Sequence, residues 1–226
     1  MIGIFDSGVG GFSAYRTVRR MLPRENILYL ADRKNAPYGT KSKDEILSFT
    51  KNNIKRLSAM GAERILIACC TASSLHNLLS EEEREISTPI ITPAARLAAK
   101  VGEKITVIAT NYTVESGAFG KEIRKFADRQ VYEIAAQELV SLVEHGNRDG
   151  RLSPEGEAYL LSLGQRIRET EADTLILGCT HFSHLEGELK RLLPKVKIIS
   201  PAREGAMEIV KKINPKHREG GVVTYM

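Results

Sequence analysis

The sequence predicts an α/β protein of two similar domains, each a mainly parallel sheet flanked by helices, with the functional site in the cleft between them. Three observations lead there. Short apolar runs rich in β-branched residues alternate with longer segments of helical period. Two stretches, RILIACCTASSLH near residue 70 and TLILGCTHFSHL near residue 180, share one layout: a hydrophobic strand, a small residue, a cysteine, a nearby threonine and then a helix. Between them TPIITPA, residues 88–94, carries two prolines and marks a natural crossing from one half to the other. Because βα units look alike by default, the shared layout points to similar halves without establishing a duplication.

The predicted strands, in order, are Ile2–Phe5, Ile27–Ala31, Arg64–Ala68, Ile105–Ala109, Val131–Ile134, Thr174–Leu177 and Lys197–Ile199. Helix starts fall between them. Ser42 with Glu45 has the spacing of a capping box, and Ser153 followed by Pro154 reads as an N-cap and first turn. The tail VVTY is expected to return as a strand to the first half. The first domain is therefore expected to hold residues 1–92 and 200–226, and the second residues 93–199.

Composition excludes several classes. The 226 residues suit one large domain or two small ones, and 42% apolar with 27% charged residues is ordinary for a globular protein. No stretch approaches the ~18 unbroken apolar residues of a membrane span, so no membrane partner is expected. The opening MIGIFDSG has no basic leader and already reads as strand and turn, which predicts a cytoplasmic protein. Three cysteines are too few for a disulfide framework, and Cys69 and Cys70 are adjacent, without the spacing that brings two thiolates to one zinc. Reduced thiols and no metal are expected. The net charge of +5 is spread over helices and interleaved with Glu, as in GKEIRKF and EGELKRLL, which describes a solvated surface and predicts no nucleic-acid partner. The surplus lends some steering to an anionic ligand.

In open α/β sheets ligands bind beyond the carboxyl ends of the strands, so the turns there carry the chemistry. Four are polar or nucleophilic: Asp6-Ser7, Cys69-Cys70-Thr71, Thr110 to Thr113, and Cys179-Thr180-His181. A thiol facing a helix N-terminus has its thiolate favoured by the helix dipole and by free N–H groups. Taken singly, a free cysteine is more often a small buried filler, an Asp after a strand more often a helix cap, and a lone His evenly divided between structure and function. Two cysteine–threonine turns at equivalent places in two halves are harder to attribute to packing, and Asp6 and His181 each suit a hydrogen bond that tunes a thiol. DSGVGG admits another reading, because Gly8 and Gly10 supply half of a dinucleotide fingerprint and Asp32 ends the next strand at a suitable distance. Against it, Ser13 stands where the third small residue belongs, and Asp6 would face the pyrophosphate.

From end to end the chain resembles the glutamate racemase family, within the wider group of aspartate, glutamate and hydantoin racemases. The resemblance rests on GIFDSGVGG, NAPYGTKS, ACCTAS, TPIITPA, VIATNYTVESGAF, ELVSLVEHG and ILGCTHF, in that order and spacing. It implies catalytic cysteines at Cys69 and Cys179, an assisting acid at Asp6, an assisting histidine at His181 and a site-adjacent glutamate at Glu144. Substrate-holding positions would be Ser7, the Pro37-Tyr38-Gly39 turn, Cys70, Thr71, Thr113 and Thr180, whose hydroxyls and N–H groups suit a carboxylate-bearing amino acid. The family mechanism implied is cofactor-independent. One thiolate removes the α-proton from one face while the opposing thiol returns a proton to the other, with Cys69 serving the D-enantiomer and Cys179 the L-enantiomer. A homodimer and a supply of D-glutamate for peptidoglycan are implied as well. Two departures bear on specificity: Cys70 stands where the family typically has an asparagine that touches substrate, and Ser183 replaces the usual proline after GCTHF. A racemase or isomerase of aspartate or another small acid, a non-catalytic amino-acid-binding paralogue and a nucleotide-dependent oxidoreductase are the alternatives.

Overall fold

The structure is a computed structural model that describes residues 1–144, 152–213 and 222–225. The first half runs β1 (Ile2–Asp6), α1 (Phe12–Met21), β2 (Ile27–Ala31), α2 (Lys43–Ala59), β3 (Arg64–Ile67), the single turn α3 (Cys70–Ser73), α4 (Glu81–Ile86) and β4 (Ser87–Pro89). It continues through α5 (Ile91–Val101), β5 (Lys104–Ala109), α6 (Asn111–Glu115), α7 (Ala118–Arg124), β6 (Gln130–Ala135), α8 (Gln137–Glu144), α9 (Pro154–Glu169) and β7 (Thr174–Gly178). The chain ends with α10 (Glu186–Leu192), β8 (Lys197–Ile199), α11 (Pro201–Lys211) and β9 (Val223–Tyr225). Every predicted strand is present, with ends shifted by no more than a residue.

Local chemistry explains the elements. Every residue of β1 and of β7 is buried, which is why these strands read as unbroken apolar runs rather than alternating ones: helices cover both faces of a parallel sheet. Ser42 and Glu45 do form a reciprocal capping box at the start of α2, and the Ser153 hydroxyl accepts from the Gly156 N–H at the start of α9. β4 is absent from the sequence reading, being three residues long and ending in a proline. Pro89 is tolerated because β4 pairs only with β3, at the edge of its sheet.

All strand pairs are parallel, in a five-stranded sheet ordered β4-β3-β1-β2-β9 and a four-stranded sheet ordered β6-β5-β7-β8. Taken from the β4 and β8 edges, the orders β4-β3-β1-β2 and β8-β7-β5-β6 are the same. The strand before Cys69 is thus the equivalent of the strand before Cys179, and β1, which delivers Asp6, is the equivalent of β5, which delivers Thr110. The tail strand β9 joins the first sheet beside β2, as VVTY suggested.

One apolar core spans both sheets. It joins Ile4 and Leu66 of the first to Ile105, Val107 and Ile176 of the second through Ala94, Ala95 and Ala98 of α5 and Ala202 and Ala206 of α11. Small residues let these helices approach closely. A Cβ on Gly205 would stand 2.3 Å from Ile90 Cγ2, so glycine is required where α11 crosses the end of β4. Two further clusters fill the outer faces, one under each sheet. Each fully buried Ile or Leu contributes about 1.5–3 kcal/mol, so the spanning core couples the halves firmly. Among the described residues no helix is long and apolar enough to cross a membrane.

Candidate active site

The carboxyl ends of β1, β3, β5 and β7 meet at a small cavity of about 20 Å³ lined by Ser7, Cys69, Cys70, Thr71, Cys179 and His181, among others. That is room for about one water. Pro37, Tyr38, Gly39, Thr180 and Glu144 complete most of the wall. A wider cleft of about 600 Å³ lies between α9 and α10, and its lining contains neither thiol nor hydroxyl-bearing side chain. The small cavity holds both thiols that follow equivalent strands, which makes it the candidate site.

Each cysteine follows its strand and opens a helical turn. The Cys69 thiol donates to Ser7 Oγ at 3.6 Å, while Cys179 Sγ lies 3.6 Å from His181 Nδ1. The two thiols thus have different proton partners. Burial, with the nearby Asp6 charge, pushes the Cys69 thiol up to about 12, so it holds its proton at neutral pH. The expected help from a helix dipole does not prevail there, because α3 is a single turn and desolvation dominates. Burial by itself would lower His181; its hydrogen bonds with Cys179 and Glu144 and the charges of Cys179 and Asp6 outweigh that and raise it to about 11. As an imidazolium it donates from Nδ1 toward Cys179 and from Nε2 to Glu144 Oε1 at 2.8 Å.

Asp6 stands behind the wall rather than in it. Fully buried, it accepts from the Gly8 N–H at 3.0 Å and from Thr180 Oγ1 at 3.2 Å, which ties the first half to the second. Burial raises its carboxyl above the ordinary value despite the opposing charge of His181 and these hydrogen bonds. The glycines of DSGVGG have their explanation here. A Cβ on Gly10 would meet Thr180 Oγ1 at 2.4 Å and the His181 backbone N at 2.8 Å, and one on Gly11 would meet Asp6 Cβ at 2.7 Å. Gly10 serves close contact between the halves and Gly11 lets its own turn pack on Asp6, which leaves no need for a nucleotide reading.

Three threonines form a second bridge. Thr71 Oγ1 of the first half lies 3.0 Å from Thr110 Oγ1 and 3.2 Å from Thr113 Oγ1, and the latter two are 2.9 Å apart. Thr71 and Thr110 reach the cavity wall, with Thr113 wholly buried behind them. Tyr38 lines the cavity, yet its hydroxyl turns away to Asp32. Cys70 is 2% exposed and also borders the spanning core, and burial raises its thiol well above the ordinary value. Ser183 bonds Ser200 Oγ at 3.1 Å, joining the turn after His181 to the start of α11. Sequence reasoning missed Gln137, whose Oε1 accepts from the Asn111 N–H at 3.3 Å and which lines the cavity from the start of α8. Its only sequence signal was its place two residues after a strand.

These features define a class of protein: two facing α/β halves of one topology, presenting a thiol from each into a shared enclosed site with separate proton partners. The chain belongs to the Asp/Glu/Hydantoin racemase family, which it matches over residues 2–209. It is 36% identical over 223 residues to a glutamate racemase of Gloeobacter violaceus, covering 96% of this chain and 82% of the relative. Among solved structures, a glutamate racemase isoform of Bacillus anthracis superposes with a TM-score of 0.81 at 32% identity, covering 100% of this chain and 86% of the other. The Francisella tularensis glutamate racemase in complex with D-glutamate gives 0.84 at 27% identity, covering 99% and 87%.

Proposed function

We propose that the protein is a glutamate racemase that interconverts L- and D-glutamate by direct two-thiol proton transfer without a cofactor. The observation that carries the reading is the placement of Cys69 and Cys179 at equivalent strand ends of the two halves, lining one cavity with different proton partners. The α-carbon would sit between the sulfurs. To invert the D-enantiomer, the Cys69 thiolate takes the α-proton and becomes a thiol, and the Cys179 thiol delivers its proton to the opposite face. His181, paired to Glu144, then restores Cys179. The reverse direction exchanges the roles. Cys69 rests as a thiol, so in each cycle it gives up its proton to solvent as the substrate enters, and His181 regains its own from the same source; the α-ammonium of the bound substrate is the positive charge that favours the Cys69 thiolate beside it. The α-proton is a very weak acid, and hydrogen bonds from Ser7, Thr71 and Thr180 to the substrate carboxylates would stabilise the carbanion-like transition state.

Residues 1–92 with 200–226 would form one domain and 93–199 the other, with the join inside the first turn of α5. The enzyme would work in the cytoplasm as a homodimer and supply D-glutamate for peptidoglycan. A second reading, a racemase of aspartate or another small acid, is favoured by Cys70, a weak donor where an amide would bind a carboxylate. Incubating the purified protein with single-enantiomer amino acids, with optical rotation as the readout, decides between them. Loss of rotation with L- and with D-glutamate, with no added cofactor, is the expected result. Inert glutamate alongside an active aspartate would transfer the assignment to the second reading.

A further inference from the structure

Asp32, directly after β2, has no part in the proton chemistry, yet it is 6% exposed and its carboxylate accepts from three side chains. Asn35 Nδ2 reaches both of its oxygens, at 2.9 and 3.0 Å, and Tyr38 Oη donates to Oδ2 at 2.5 Å. Asn53, wholly buried in the middle of α2, gives Nδ2 to Asp32 Oδ2 at 3.2 Å and to Tyr38 Oη at 3.0 Å. A fully buried Asn inside a helix is costly unless its amide is used; here Nδ2 is spent on one phenol and one carboxylate, while Oδ1 has no hydrogen-bond partner among the described residues. The Tyr38 ring also packs on Phe49, with centroids 5.5 Å apart.

The other side of the same turn faces the second half. A Cβ on Gly39 would stand 2.5 Å from Gln137 Oε1 and 2.6 Å from Thr110 Cβ, so residues 36–39 are wedged between β2 and α2 below and the second sheet above. They also form one wall of the cavity. Whatever fixes Tyr38 fixes that wall.

We propose that Asp32 and Asn53 are positioning residues that hold Tyr38, and through it the 36–39 wall, in the geometry that receives the substrate. The inference rests on the glutamate racemase reading for its substrate. Asp32 and Asn53 touch no reacting atom, so they set how well the substrate is held and not how fast its proton moves. Their loss therefore falls on KM rather than kcat. Tyr38 Oη, Asp32 and Asn53 act as one unit, so removing a second member after the first adds little.

The test compares Tyr38→Phe, Asn53→Ala, Asp32→Ala, Asp32→Asn and the double variant Tyr38→Phe/Asn53→Ala with the unmodified protein. Each of Tyr38→Phe, Asn53→Ala and Asp32→Ala is expected to raise KM for glutamate on the order of tenfold with kcat within about threefold, the range of one lost positioning hydrogen bond to a charged group. The double variant should match the worse single one, and Asp32→Asn, which keeps an acceptor for the phenol, should recover most of the loss. Amide hydrogen exchange supplies a readout without turnover: residues 36–41 should exchange at least about tenfold faster in Tyr38→Phe, with β1 and β3 unchanged. Unchanged KM with unchanged exchange, or a fall in kcat alone that tracks the folded fraction, overturns the proposal. If the unmodified protein does not turn over glutamate, the functional reading and the substrate part of this one fail together, and the exchange result still decides whether the anchor exists.

Discussion

His181 lies between Cys179 and Glu144, and both partners favour its cation. Its pKa is raised from 6.5 to about 11, so between those values the folded chain holds a proton that the unfolded chain releases. The stabilisation is complete below the unfolded value and is lost as pH rises through the folded one. Cys69 acts in the same sense higher up, its pKa being raised from 9.0 to about 12. Urea midpoints should therefore fall as pH rises from 7 toward 11, and His181→Asn should flatten that fall; a midpoint that climbs over this range would contradict the assignment. Cys70 is a different case. It lines the cavity as a neutral, weakly donating thiol, and Cys70→Asn should keep or raise kcat/KM for glutamate by restoring an amide beside the substrate. A large loss would show instead that the site is packed around sulfur.

The turns that follow the strands hold the site together, and at Gly10 and Gly39 they bring the halves into close contact. Gly10→Ala would drive a Cβ into Thr180 Oγ1 and the His181 backbone, neither of which can yield without displacing the Cys179 turn. Turnover should drop by at least about tenfold, the usual consequence of misplacing a catalytic group by an ångström, while circular dichroism remains that of the folded protein. Full activity in this variant would mean that the 6–11 turn is not part of the site. At this scale the sequence was informative wherever the signal is local. Strands covered on both faces, serine caps and the two cysteine turns all follow from short-range pattern. Asp32 shows where that reasoning ends: its distance from the glycine-rich turn admitted a dinucleotide reading, yet its partner Asn53 is 21 residues away. Gln137 reaches Asn111 across 26 residues, and a contact of that kind depends on how two helices settle on one sheet. Tyr38 lines the cavity, but the direction of its hydroxyl depends on a buried partner that no local pattern announces.

Across the whole molecule, two sheets of the same strand order share one core through α5 and α11, and each presents a thiol at the opposite edge of that core. The cavity of about 20 Å³ is smaller than an amino acid, so side chains or turns of its wall must shift to take one in. On the proposed mechanism each sulfur serves one face of the bound substrate. A hydroxyl is a far poorer base than a thiolate near neutral pH, so Cys69→Ser and Cys179→Ser should each abolish racemisation while keeping half of the machinery. The direct test gives each variant a glutamate analogue with a β-leaving group in both α-configurations and measures elimination. The variant that retains Cys69 should eliminate only from the D-configured analogue, and the variant that retains Cys179 only from the L-configured one. The same enantiomer preference in both variants, or full racemase activity in either, would contradict the two-thiol account.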